Sequence, residues 1–327
     1  MHILITGAAG MVGRKLAERL VTDGGLNGKP VDRLTLVDVV APRAPAGFSG
    51  KVKSHALDVS REDAGHKLVE GRPDVIFHLA AVVSGEAEAD FEKGYRINLV
   101  PFHYLLEAIR CAGGGYHPKL VFTSSIAVFG APFPSEIPDD FHHTPLTSYG
   151  AQKGICELLL MDYTRKGFLD GVGIRLPTIC VRPGTPNKAA SGFFSNIIRE
   201  PLAGKEAVLP VEESVMHWHA SPRSAAGFLV HAASLTREKL GPRINLTMPG
   251  VACTVGEQIA ALRRVAGEAV VARIRREPDA TIMKIVSGWP TRFDARRARS
   301  LGFKVEDTFE EIIRVHVDEE LGGKIAA

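Results

Sequence analysis

The chain alternates short apolar runs with longer stretches in which apolar positions recur every three or four residues. Six runs read as strands: His2–Thr6, Leu34–Val39, Val52–Leu57, Val75–Leu79, Leu120–Thr123 and Gly173–Ile179. Helical periodicity marks Val12–Thr22, Arg61–Glu70, Tyr95–Ala112 and Tyr149–Lys166 between them. Apolar strands separated by helices predict an α/β fold, a doubly wound parallel sheet covered on both faces. After about Arg182 the regularity breaks. Pro183–Ser191 is rich in Pro, Gly, Asn and Ser, and apolar pieces follow at Val208–Val211, Ile244–Met248 and Val270–Ile274. This predicts a first domain over residues 1–182 and a smaller lobe over 183–327, with some segments of the lobe returning to the first sheet.

Composition narrows the function classes. The chain has 327 residues, 45% of them hydrophobic, enough for a large core. The net charge of +3 is small and the basic residues are spread out, so a nucleic-acid partner is not expected. Cys111, Cys156, Cys180 and Cys253 are widely spaced, with no CxxC pair. They are expected to be reduced, mostly buried thiols, and no metal site is expected. No apolar run approaches a membrane span, and a strand starts within two residues of the N-terminus. A cytoplasmic protein without a membrane partner is the expectation.

Two motifs carry chemistry. The turn after the first strand reads Gly7-Ala8-Ala9-Gly10-Met11-Val12-Gly13, a spacing that brings backbone amides and a helix N-terminus to phosphate. Asp38 ends the second strand, where a carboxylate can hold both ribose hydroxyls of an adenosine and repel a 2′-phosphate. Arg43 lies five residues further on and does not remove that carboxylate, so NAD is expected over NADP. About 140 residues later, Tyr149-Gly150-Ala151-Gln152-Lys153 places a phenol and an ammonium four residues apart on one helix face. A free tyrosine has a pKa of roughly 10. A nearby ammonium favours phenolate and makes it a usable base. Thr123-Ser124-Ser125 precedes this pair.

Together these segments resemble the extended short-chain dehydrogenase/reductase superfamily, the NAD-dependent epimerase/dehydratase proteins, along most of the chain. The resemblance implies a Rossmann-type cofactor domain over 1–182 and a mainly substrate-binding lobe over 183–327. It implies that Ser125, followed by Ile126-Ala127-Val128-Phe129-Gly130, bonds the reacting oxygen, with Ser124 structural. It assigns catalysis to Tyr149, Lys153 and Ser125. Cofactor contacts fall to Gly7, Gly10, Met11, Val12, Gly13, Asp38, Asp58, Val59, Leu79, Ala80, Ala81, Asn98, Tyr149, Lys153 and Pro177. Dehydratases of the superfamily carry an Asp-Glu pair where Ile126 and Ala127 stand, so dehydration is not expected.

The substrate candidates are Ser84, Ser125, Tyr149, Arg182, Asn187, Ser191 and Arg223, with Gly85, Phe193 and Phe194 beside them. Ser221-Pro222-Arg223 replaces the acidic motif usual in sugar-nucleotide members, and an arginine suits a small carboxylate. His217 and His219 have strand spacing for a metal, but no third ligand stands near. The segments Val83–Glu88, Arg182–Asn187 and Ser221–Arg223 look like the branch that oxidises a four-carbon sugar acid, D-erythronate, at its C2 hydroxyl. An NAD-dependent dehydrogenase of a small sugar acid is therefore expected. The alternatives are a nucleotide-sugar 4-epimerase with tightly bound NAD and a non-catalytic NAD sensor. The resemblance also implies a homodimer, built on the helix after the fourth strand and the helix of Tyr149. Its apolar positions would be Ile97, Phe102, Leu105, Leu106 and Ile109 with Ile155, Leu158, Leu159 and Met161.

Overall fold

The computed structural model describes residues 1–184 and 190–326. Its strands are β1 (His2–Thr6), β2 (Arg33–Asp38), β3 (Lys51–Ala56), β4 (Val75–His78), β5 (Lys119–Ser125), β6 (Asp170–Leu176), β7 (Thr178–Ile179), β8 (Ala207–Leu209), β9 (Met216–Ala220), β10 (Asn245–Thr247), β11 (Val251–Thr254) and β12 (Ile274–Arg276). The helices through the middle of the chain are α1 (Met11–Thr22), α2 (Ala64–Val69), α3 (Ser84–Ala89), α4 (Phe91–Asn98), α5 (Val100–Cys111), α6 (Ser148–Arg165), α7 (Gly192–Leu202) and α8 (Pro222–Ser234).

The chain divides into two compact units. The first is Met1–Val128, Thr147–Leu176 and Ala226–Met248, and the second is Phe129–Leu146, Pro177–Ala225 and Pro249–Ala327. The boundary expected after residue 182 therefore needs correction. β6 stops at Leu176 because Pro177 has no N–H to extend a parallel ladder. Thr178 and Ile179, expected in the same strand, pair instead with His219 and Ala220 of β9. Phe129–Leu146 also belongs to the second unit, where Phe129 packs on Phe141 and Phe293 at ring distances of 6.0 and 5.8 Å.

In the first unit, a seven-stranded sheet runs β10-β6-β5-β4-β1-β2-β3, and every neighbouring pair is parallel. Strand order reverses between β1 and β4, the switch point at whose carboxyl ends ligands bind in such sheets. Leu4, Ile76, Leu120 and Phe122 of the strands pack with Phe102, Leu105, Leu106 and Ile109 of α5 and Leu160 of α6. The α5 positions expected at a dimer seam are thus in this core. The expected helix Tyr95–Ala112 is two helices meeting at Leu99, with Pro101 in the first turn of α5. A proline fits there because its missing N–H has no helical acceptor, whereas inside one long helix it would break a bond.

The second unit holds a three-stranded sheet, β11-β9-β7, and the pair β12-β8. Its core joins Phe194, Ile197 and Ile198 of α7 with Leu262 and Ile313 of later helices. His217 and His219 point to one face of β9 and pack there. His217 stacks on Phe194, meets Thr178 Oγ1 at 2.7 Å and donates from Nδ1 to Pro290 O, 3.0 Å away. Burial pushes its ring down to about 4 and that of His219 well below the usual range. Among the described residues no cluster could hold a metal ion. No helix among them is long and apolar enough to cross a membrane. All four cysteines are free, and only Cys111 is exposed.

Candidate active site

The glycine turn has the geometry that its sequence demands. Gly7 has φ of +73°, and a Cβ there would lie 2.7 Å from Ala80 N, so the turn lies against the end of β4. A Cβ at Gly13 would lie 2.3 Å from Gly7 O, which keeps α1 tight on the turn. Gly10 caps α1 without a side chain, and the first turn of α1 carries no acidic residue. The helix N-terminus, with Met11 and Val12 half-buried behind it, thus presents amides and a partial positive charge, which fits a dinucleotide pyrophosphate.

Asp38 is aimed by two amides. Its Oδ2 accepts from Ala9 N at 2.9 Å and its Oδ1 from Val39 N at 2.7 Å. The carboxylate expected to hold the ribose is thereby tied to the glycine turn. Asp58 is exposed and accepts from Ser60 N and Oγ, which hold its carboxyl below the usual carboxylate range. Val59 beside it is buried. Leu79 and Ala80 are half-buried after β4 and Ala81 is exposed. Asn98 braces rather than lines this region. Its Oδ1 accepts from Val82 N at 2.8 Å and its Nδ2 donates to Gln152 Oε1 at 2.7 Å, linking the loop after β4 to α6.

The catalytic candidates meet at the carboxyl end of β5. Thr147 caps α6 by accepting from Gly150 N, so Tyr149 stands in the first helical turn. Lys153 is 2% exposed, and its Nζ donates to Thr123 O at 2.8 Å. That ammonium lies 4.9 Å from the Phe122 ring centre and 5.7 Å from the Tyr149 ring centre. Burial lowers Lys153 to about 8, while Cys156 and Glu157 work in the opposite direction. His78 lies beneath, held down at about 3 by burial and then by the charge of Lys153.

The two serines differ. Ser124 is buried and donates its hydroxyl to Glu157 Oε1, whereas Ser125 is half-exposed and accepts from Ala127 N at 3.1 Å. Ser125 can still donate its own O–H to a reacting oxygen.

The substrate candidates are scattered over both units. Ser84 and Gly85 open α3, a short helix directly after the loop that follows β4. Pro177 is buried at the start of the second unit. There Arg182 Nη2 donates to Ser191 Oγ at 2.9 Å, so those two residues come together. Phe193 and Phe194 are in the core, and Asn187 lies outside the described residues. Ser221-Pro222-Arg223 forms a helix start. Ser221 Oγ accepts from Ser224 N, Pro222 begins α8, and Glu306 accepts from the hydroxyls of Ser221 and Ser224. Arg223 Nε donates to Glu319 at 2.6 Å.

Glu157 and Arg175 were missed. The signal was present in the spacing, since Tyr149, Lys153 and Glu157 repeat every four residues along one helix face.

The chain is similar to known proteins over its full length. The model of the NAD dependent epimerase/dehydratase family matches residues 3–220. D-erythronate dehydrogenase of Cupriavidus necator is 46% identical over 98% of both chains. D-erythronate dehydrogenase of Haemophilus influenzae is 40% identical over 98% of this chain and 100% of its own length. A solved structure described as the nucleoside-diphosphate-sugar epimerase from Agrobacterium tumefaciens is 68% identical, with a TM-score of 0.97 over 100% of this chain and 96% of that one. With a family model matching two thirds of its length and full-length relatives at 40% and 46% identity, the chain belongs to the NAD dependent epimerase/dehydratase family.

Proposed function

We propose that this protein is an NAD-dependent dehydrogenase that oxidises the C2 hydroxyl of a small sugar acid of the D-erythronate type to the 2-oxo acid. The observation that carries the reading is the buried Lys153 ammonium, 5.7 Å from the Tyr149 ring and one strand end from Ser125. The named function of two full-length relatives supports the substrate class. When bound, NAD supplies the hydride acceptor. Ser125 donates a hydrogen bond to the substrate oxygen and Tyr149 removes its proton. Lys153 favours the phenolate that must form before that transfer.

A positioned general base is worth about 10²–10⁴-fold in rate. Tyr149→Phe is therefore expected to lose at least a hundredfold in turnover on four-carbon aldonates while NAD affinity stays within a few fold. More than a tenth of wild-type turnover, with chemistry rate-limiting, would overturn the assignment. The Agrobacterium tumefaciens structure carries the description of a nucleoside-diphosphate-sugar epimerase, and one assay separates that second reading from the first. Net NADH formation with a sugar acid supports the first reading; isomer exchange without net redox change supports the second.

The protein is further proposed to be a homodimer, because α6 is reversed in polarity. Its buried positions include Gln152, Lys153 and Glu157, while Ile155, Leu158 and Met161 face outward at 36%, 60% and 36% exposure. Phe91 on the adjacent α4 is 61% exposed. A second copy would cover this apolar face. Light scattering at micromolar concentration is expected to give twice the chain mass, and a monomeric mass would refute the dimer.

A further inference from the structure

One buried ion pair stands apart from the machinery described so far. Glu157 is fully buried and Arg175 is 7% exposed. Arg175 Nε donates to Glu157 Oε1 at 3.0 Å and to Oε2 at 3.1 Å, and its Nη2 donates to Oε2 at 2.8 Å. Glu157 Oε1 also accepts from the Ser124 hydroxyl, and Arg175 Nη1 reaches Thr247 Oγ1 at 3.4 Å. The Glu157 carbonyl accepts from Asn245 Nδ2 at 3.4 Å. One glutamate therefore joins α6 to the carboxyl ends of β5 and β6 and to the first residue of β10.

Such pairs are poor stabilisers, because desolvating two charges offsets most of their attraction, and apolar residues of similar volume often do as well. Stability does not explain this one. Its position does. Glu157 lies one turn beyond Lys153, which lies one turn beyond Tyr149, and Ser124 precedes Ser125 on β5. We propose that Glu157, held by Arg175, is a positioning residue that fixes the depth of α6 against β5 and supplies the counter-charge to Lys153. It touches no reacting atom.

The inference rests on the reading of Tyr149 and Lys153 as the proton-transfer pair. The groups facing Lys153 are few. They are Tyr149, Cys156 and Glu157 on its own helix, the Thr123 carbonyl and Phe122 ring of β5, and His78 of β4, with Arg175 of β6 behind Glu157. His78 is neutral above about pH 3 and Cys156 is pushed up to about 12 by burial. At neutral pH Glu157 is thus the anion of this set. Its removal leaves Lys153 buried without the charge that favours its protonated form. Arg175 shares the same carboxylate and limits how far that charge acts. The neutral single variant, which leaves the Arg175 charge without its carboxylate, should therefore disturb Lys153 more than a variant neutral at both positions.

Lys153 is read directly by ¹³C NMR of protein carrying ¹³Cε-labelled lysine, with Lys153→Met identifying its signal. In Glu157→Gln the Lys153 titration midpoint is expected to fall by about one pH unit or more. In Glu157→Gln/Arg175→Met it should fall less. If Glu157→Gln does not fold, the double variant decides alone, since it buries no arginine charge without a carboxylate; a lowered midpoint supports the proposal. A midpoint at the wild-type value in the variants that fold overturns it. The same variants should move the acid limb of the turnover–pH profile upward, whereas a merely structural role gives a loss independent of pH. Tyr149→Phe turnover tests the underlying reading separately, because the lysine titration needs neither substrate nor an active enzyme.

Discussion

Lys153→Met should make the protein more stable while abolishing its activity. Burial holds the Lys153 ammonium at about 8 in the folded chain, against 10.5 for a free lysine. A difference of about 2.5 pH units corresponds to roughly 3 kcal/mol of destabilisation at neutral pH. Methionine has a similar length and no charge to desolvate. The substitution gives up the hydrogen bond to Thr123 O and the ring contact with Phe122, together worth about 1–2 kcal/mol. A net gain of about 1–2 kcal/mol remains. The sign with pH is fixed by linkage. Because the folded value lies below the unfolded one, wild-type protein loses stability as pH falls from 10.5 to about 8 and loses no more from this group below that. Urea unfolding of the cofactor-free protein should therefore give Lys153→Met the higher midpoint at pH 7, with the gap closing as pH rises above 8. A variant less stable than wild type at pH 7, or a gap that ignores pH, would refute the reasoning. Turnover and NAD affinity should both fall in this variant, since the same side chain serves both.

Two further outcomes follow from the geometry. Asp38→Ala should weaken NAD by about tenfold, the value of a charge-assisted hydrogen bond, and narrow its advantage over NADP; titration of both cofactors checks this, and a wild-type preference for NADP would contradict it. Lowering pH should destabilise the fold through His78 and His217, held at about 3 and about 4. Their folded values lie below that of free histidine, so stability present above about pH 6.5 is lost as pH falls toward those values. The loss is roughly 1.4 kcal/mol per histidine for each pH unit below 6.5, measurable by urea unfolding at pH 7.5 and 5.5, and a flat profile would exclude it.

Much of the first unit was legible because a parallel sheet buried on both faces needs unbroken apolar runs, and Ile3-Leu4-Ile5 or Leu120-Val121-Phe122 offer no other reading. The cofactor turn was equally plain, since Gly7 and Gly13 are each required by a close approach of backbone. Less legible was anything set by long-range partners. Ser221-Pro222-Arg223 reads as a polar recognition loop until Glu306 and Glu319 appear beside it from the far end of the sequence. The extent of β6 was overestimated because Thr178 and Ile179 have strand character and only their partner, β9, differs. Arg175 looked like one polar residue in an apolar strand. The carboxylate that makes it intelligible lies 18 residues earlier, on another element.

The edge of the main sheet also sets a timetable for synthesis. β6 pairs on its outer side with β10, whose residues come about 70 positions later. At roughly 5–20 residues per second, a ribosome needs roughly 4–14 seconds to deliver them. Throughout that interval the nascent chain carries an open strand edge along Gly173–Arg175, with apolar Ile174 on it, which is a template for pairing with a neighbouring nascent chain. An N-terminal fragment ending before Asn245 would keep that edge permanently. The first unit is therefore completed only when the chain, having built nearly half of a second unit, comes back to close its sheet.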